Sequence, residues 1–191
     1  MKKIFWALPL MGFAAVAQAH TGHAHLSLMD GLAHPFGFDH LLAMVAVGLW
    51  SARVLQGRTQ LFGPLLFVLS LVTGALTAQV AGFEWAMVEY LIAASIVAFA
   101  LLIAVPKVSK GLGFALIIAA GCVHGWAHGA EATAGGVFAM YALGFVLTTV
   151  VLHLSGVFAG QQLLRLKAAW HWRTISAVMA GYGVYALSML G

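Results

Sequence analysis

Two short stretches concentrate the side chains that can do chemistry in this sequence. The first is His34-Pro35-Phe36-Gly37-Phe38-Asp39-His40. Pro35 pushes His34 toward an extended conformation and can itself open a helix. Gly37 allows a sharp path, so His34 can fold back over the helix start and meet Asp39 or His40. Two imidazole nitrogens and a carboxylate oxygen suit borderline divalent ions such as nickel, cobalt or zinc. The plainer alternative is that Asp39 caps a helix and the histidines sit at a lipid interface.

The second stretch is His124-Gly125-Trp126-Ala127-His128-Gly129-Ala130-Glu131. His124 and His128 are four apart and share one helix face, on which Glu131 follows. Gly121, Gly125 and Gly129 form a ridge beside them, and such a ridge lets another helix pack closely. The imidazoles would then point into a bundle. The plainer alternative is a pair of histidines hydrogen-bonded between helices. Ionisable groups inside a membrane span are costly, which favours function. The metal set expected from both stretches is His34, Asp39, His40, His124, His128 and Glu131.

Secondary candidates lie around this set. Glu89 is a candidate for ion or proton handling, whereas Glu84 beside Trp85 reads as interfacial. His153, among Thr148, Thr149 and Ser155, either bonds a neighbouring helix or marks a later point on an ion path. Met44, one turn after His40, reads as core. His171 reads as ordinary surface. No catalytic residue is expected: His124 and His128 have zinc-hydrolase spacing, but no Glu follows the first His. Axial haem ligation by His40, His124, His128 or His153 is the redox alternative, and the nearby carboxylates argue against it. No prosthetic group is expected. The single cysteine, Cys122, excludes an internal disulfide and a Cys-x-x-Cys metal site.

The elements that must position these residues follow from composition. Of 191 residues, 63% are hydrophobic and 7% charged. A soluble domain could not hide that much apolar surface, so hydrocarbon is the solvent for most of the chain. The basic residues form no run or stripe, which excludes nucleic acid as a partner. Residues 1–19 read as a cleavable signal: Lys2 and Lys3, an apolar run from Ile4 to Val16, and Ala17-Gln18-Ala19. Cleavage leaves His20 as an extracytoplasmic N-terminus. Its α-amine and imidazole then form a chelating pair near His23 and His25, in an extracytoplasmic His-rich segment over 20–37. Residues 38–191 form an all-α, polytopic membrane domain. Spans of ~20 mostly apolar residues are expected near 38–55, 60–80, 84–105, 112–130, 136–158 and 173–190.

Threading six spans from an outside N-terminus puts Arg53, Arg58, Lys107, Lys110, Arg165, Lys167 and Arg173 on the inner side. Every basic residue of the mature chain thus obeys the positive-inside rule. Asp30, Asp39, Glu84, Glu89 and Glu131 fall at or near the outer ends. The expected location is the bacterial cytoplasmic (inner) membrane, with both mature termini extracytoplasmic. A homo-oligomer is compatible with this reading but not required by it.

The stretch His34 to Ala52, HPFGFDHLLAMVAVGLWSA, resembles the signature of the HupE/UreJ family. The order of parts is similar too: signal, a mature start at His20-Thr21-Gly22-His23, that signature, then the His-Gly-x-x-His-Gly-x-Glu segment at His124–Glu131. Members are small polytopic proteins associated with nickel supply to hydrogenase and urease. The His-x4-Asp-His pattern also resembles the signature of the broader nickel/cobalt permeases. The resemblance implies a secondary Ni2+ permease, with His34, Asp39 and His40 carrying the metal role. Co2+ is the alternative ion, and a metal-binding accessory protein without transport is the alternative role.

Overall fold

The computed structural model describes residues 27–83, 85–131, 138–167 and 169–191, the side chain of residue 131 excepted. The expected signal (1–19), His20, His23, His25 and Glu84 lie outside the described residues, as does the Glu131 side chain. The described residues are helical, with no strand among them.

A short helix, α1 (Leu28–Ala33), starts the described chain, followed by a 3-10 turn at His34–Phe36. Six longer helices follow: α2 (Phe38–Val54), α3 (Phe62–Ala81), α4 (Val88–Ala104), α5 (Lys110–Glu131), α6 (Phe138–Arg165) and α7 (Ala169–Met189). A 3-10 turn at Gly57–Leu61 leads into α3. Three helical stretches are long and apolar enough to cross a membrane: Gly57–Ala81, Lys110–Ala130 and Phe138–Arg165. A fourth is added if the pair Leu28–Phe36 and Phe38–Val54, bent by 75°, counts as one. Helix α4 is apolar but has 17 residues.

The structure adds one element to the sequence expectation and shifts two helix ends. Residues 28–36, given no element within the expected His-rich segment, form a docked helix and turn. Ser27 caps α1: its hydroxyl accepts from the Asp30 amide at 3.2 Å, and its own amide donates to Asp30 Oδ2 at 2.8 Å. This reciprocal capping box satisfies amides that a helix start leaves unpaired. The third long helix starts at Val88 rather than near 84. The fifth runs on to Arg165 rather than stopping at 158, because the polar Gln161 and Gln162 continue the helix instead of ending it.

The bundle is packed by helix pairs that approach through glycine. Gly121, Gly125 and Gly129 of α5 lie against α3, where an added Cβ would collide with the backbone of Phe67, Leu71 and Ala75. Gly48 of α2 and Gly156 of α6 meet in the same way. Close contact of this kind supplies helix association where lipid removes the hydrophobic drive. Large apolar side chains instead face outward along the helices, among them Leu69 and Leu76 on α3, Val151 and Phe158 on α6, and Val178 on α7.

The two ends of the bundle differ. At one end, Gln161 donates to Gln60 at 2.7 Å, and the Arg53 guanidinium donates to the Ile103 carbonyl and lies 4.6 Å from the Trp172 ring. At the other end, Asp39 and Glu89 line one cleft of about 250 Å³ together with Tyr182, Tyr185 and Leu190.

Candidate metal centre

Helix α1 sets the position of His34. The Thr148 hydroxyl of α6 donates to the Leu32 carbonyl at 2.8 Å, and Gly31 and Gly144 let the two backbones touch. Buried Pro35 then turns the chain, and Gly37 starts α2. The bend brings His34 back over the first turn of α2, where its ring meets His40 edge-on at 5.2 Å between centroids.

Helix α5 supplies the other side. Its glycine ridge is held on α3, so the adjacent face carrying His124 and His128 points into the bundle. Both histidines are fully buried. The His128 ring lies 4.5 Å from His34 and 5.1 Å from His40, and the His124 ring lies 4.9 Å from His40. One ring nitrogen from each of His34, His40 and His128 lies within 4.8 Å of the other two. Three nitrogens that each hold an ion at about 2.0–2.1 Å must come to roughly 3–4 Å of one another.

The hydrogen bonds fix which nitrogens carry lone pairs in His40 and His124. The His40 amide and Nδ1–H donate to Asp39 Oδ1 at 2.8 and 3.1 Å. A carboxylate can only accept, so His40 Nε2 is left with its lone pair. This is the carboxylate–histidine arrangement that orients metal ligands and raises their basicity. Ser95 of α4 donates its own proton to the Ile92 carbonyl at 2.7 Å, so it accepts from His124 Nε2–H at 3.2 Å. His124 Nδ1 therefore carries a lone pair and has no hydrogen-bond partner among the described residues. The Tyr141 hydroxyl bridges His34 Nδ1 at 3.1 Å and His128 Nδ1 at 3.4 Å. His128 Nε2 has no partner among the described residues. Phe145 stacks on the His128 ring at 4.3 Å and 10°. A buried lone pair without a donor, as on His124 Nδ1, is costly, and a cation bound there would remove that cost.

The structure thus gathers His34, Asp39, His40, His124 and His128 from two sequence stretches. Asp39 bonds His40 and faces the cleft, outside the three-imidazole group. Glu89 is exposed and lines the same cleft, and His153 lies deeper, on α6. Met44 is fully buried in the core, as its spacing suggests. Sequence reasoning missed Tyr141, Phe145 and Ser95. Ser95 is the one polar side chain between Leu91 and Leu102, and that isolation was its only signal. Tyr141 and Phe145, four apart, share a helix face, and nothing in their spacing separates them from core.

The chain matches the family described as HupE / UreJ protein over residues 8–186. It is similar to Protein HupE of Rhizobium leguminosarum bv. viciae, with 35% identity over 158 residues, covering 81% of this chain and 81% of the relative. No solved structure matches.

Proposed function

The chain belongs to the HupE/UreJ family, and from that premise we propose that it is a secondary carrier importing Ni2+ across the bacterial cytoplasmic membrane to supply hydrogenase or urease. The observation that carries this reading is the group of three imidazole nitrogens from His34, His40 and His128 within 4.8 Å. In the proposed site these three ligate the ion, His124 adds a fourth nitrogen, and Asp39 orients His40 and offsets the ion's charge. Glu131, at the end of α5, is a further ligand candidate. Burial of a divalent ion needs such compensation where water is scarce. The cleft bearing Asp39 and Glu89 is the mouth through which the ion reaches His40.

The proposed topology has six spans, α2 to α7, after cleavage of the signal at Ala19. The His-bearing end faces out and the end with Arg53, Arg58, Lys107, Lys110, Arg165, Lys167 and Arg173 faces in. Helices α2 and α4, with 17 residues each, reach about 26 Å at 1.5 Å per residue. That is slightly less than a hydrocarbon core of about 30 Å, a mismatch that local thinning accommodates. The freed His20, with His23 and His25, gathers ions outside at low concentration. Chelation needs unprotonated nitrogens, so this capture weakens as pH falls.

Uptake by the purified protein in proteoliposomes, with Ni2+, Co2+ and Zn2+ in competition, tests the reading. Saturable Ni2+ uptake that Co2+ competes poorly supports it. Preference for Co2+ would make it a cobalt carrier, and tight binding without uptake would make it an accessory protein.

A further inference from the structure

A fourth buried imidazole, His153, lies outside the cluster. His153 is twelve residues beyond Tyr141 on α6, about 18 Å further along the helix at 1.5 Å per residue. Its Nδ1–H donates to the Thr149 carbonyl at 2.7 Å, so Nε2 carries the lone pair. Neither His153 Nε2 nor the fully buried Thr149 Oγ1 has a hydrogen-bond partner among the described residues. The ring of Phe67 touches both His153, at 4.9 Å between centroids, and His124, at 5.6 Å.

A histidine kept for structure would satisfy both nitrogens or give way to a leucine, since an unmet buried polar atom costs free energy with no return. The i to i−4 bond to Thr149 is internal to α6 and links no other helix. What it does achieve is a fixed tautomer, with the free lone pair on the nitrogen away from that backbone. The second unmet atom, Thr149 Oγ1, belongs to a residue one turn away on the same helix. His124, whose Nδ1 also has no partner among the described residues, packs on the same phenyl ring, so Phe67 is flanked by two imidazoles able to accept a cation.

We propose that His153 Nε2, with Thr149 Oγ1, forms a second cation station that takes Ni2+ from His124 past the Phe67 ring on its way inward. The station rests on the carrier reading above. It has no carboxylate in contact with its imidazole among the described residues, so it binds more weakly than the first site and favours release.

The test uses the full chain in lipid nanodiscs and proteoliposomes with Ni2+ itself. His153→Leu should leave first-site binding by equilibrium dialysis within about 3-fold of wild type and lower uptake by about 10-fold or more, at least the scale of losing an outer-shell partner. In a His128→Ala background a weaker Ni2+ should remain bound, and adding His153→Leu should remove it. His153→Gln, which keeps a donor for Thr149 but no imidazole, should behave like His153→Leu and guards against misfolding. Wild-type uptake by either variant overturns the station. Loss of first-site binding in both also overturns it, because His153 would then be a structural residue. A wild-type protein that binds no Ni2+ defeats the carrier reading itself, a failure visible without any variant.

Discussion

His40 and His153 are both buried imidazoles with Nδ1 committed, yet different groups hold that nitrogen. At His40 it is the carboxylate of Asp39, half-exposed to a cleft and accepting twice. At His153 it is a backbone carbonyl of its own helix. A carboxylate partner raises ligand basicity more than a neutral carbonyl does. His40 also has His34, His124 and His128 as neighbours, whereas His153 has a phenyl ring. Under the proposed function, the first region would capture a cation and the second would hold one loosely. Such a carrier would need both, because an ion bound equally tightly along its path is not delivered.

Several changes break or sharpen that contrast. The largest effect is expected from His40→Ala or His128→Ala, which removes one of three clustered nitrogens. Each should weaken Ni2+ binding by more than about 100-fold, beyond the scale of outer-shell losses, and abolish uptake at low Ni2+. Dialysis and uptake at matched protein level measure both. Survival of uptake in His124→Ala and His128→Ala alike would leave α5 a merely structural helix.

Asp39→Asn keeps an oxygen that can accept from His40 but removes the charge. Ni2+ affinity should fall about 10- to 100-fold, while His153-dependent binding is unchanged. Equal loss at both places would erase the distinction between the regions.

Gly125→Ala tests the support behind the cluster. Its Cβ would strike the Leu71 backbone on α3, and overpacking of this kind costs about 1–3 kcal/mol. A lower melting temperature is expected, together with weaker Ni2+ binding as His124 and His128 shift. Gly181→Ala, which meets open space, is the control and should change neither.

Tyr141→Phe should have the smallest effect. It removes the hydroxyl shared by His34 and His128 and leaves the ring. A single hydrogen bond is worth about 0.5–1.5 kcal/mol, so Ni2+ affinity should fall only a few-fold.

Much of this arrangement is legible in the sequence because long apolar runs and close histidine spacing are strong signals. The six long helices lie where the apolar runs place them, with ends differing by up to seven residues. His34, His40 and His128 meet because Pro35 and Gly37 turn the chain and the glycine ridge fixes the face of α5, all of which spacing reveals. Helix α1 was not legible, since six residues carry no usable periodicity and its stability comes from a cap and from docking on α6. Tyr141, Ser95 and Phe67 were not legible either. A lone polar or aromatic residue in an apolar helix shows its partner only once the helices are packed. The continuation of α6 to Arg165 was hidden because glutamines near a membrane surface read equally as loop or helix.

The proposed carrier holds Ni2+ among imidazoles drawn from the 3-10 turn at His34–Phe36, α2 and α5. X-ray absorption at the nickel edge of the Ni2+-loaded protein counts those ligands directly. The account predicts at least three imidazoles in a shell of nitrogen and oxygen, falling by one in His128→Ala. A spectrum with one imidazole or none, or one unchanged by His128→Ala, would contradict it.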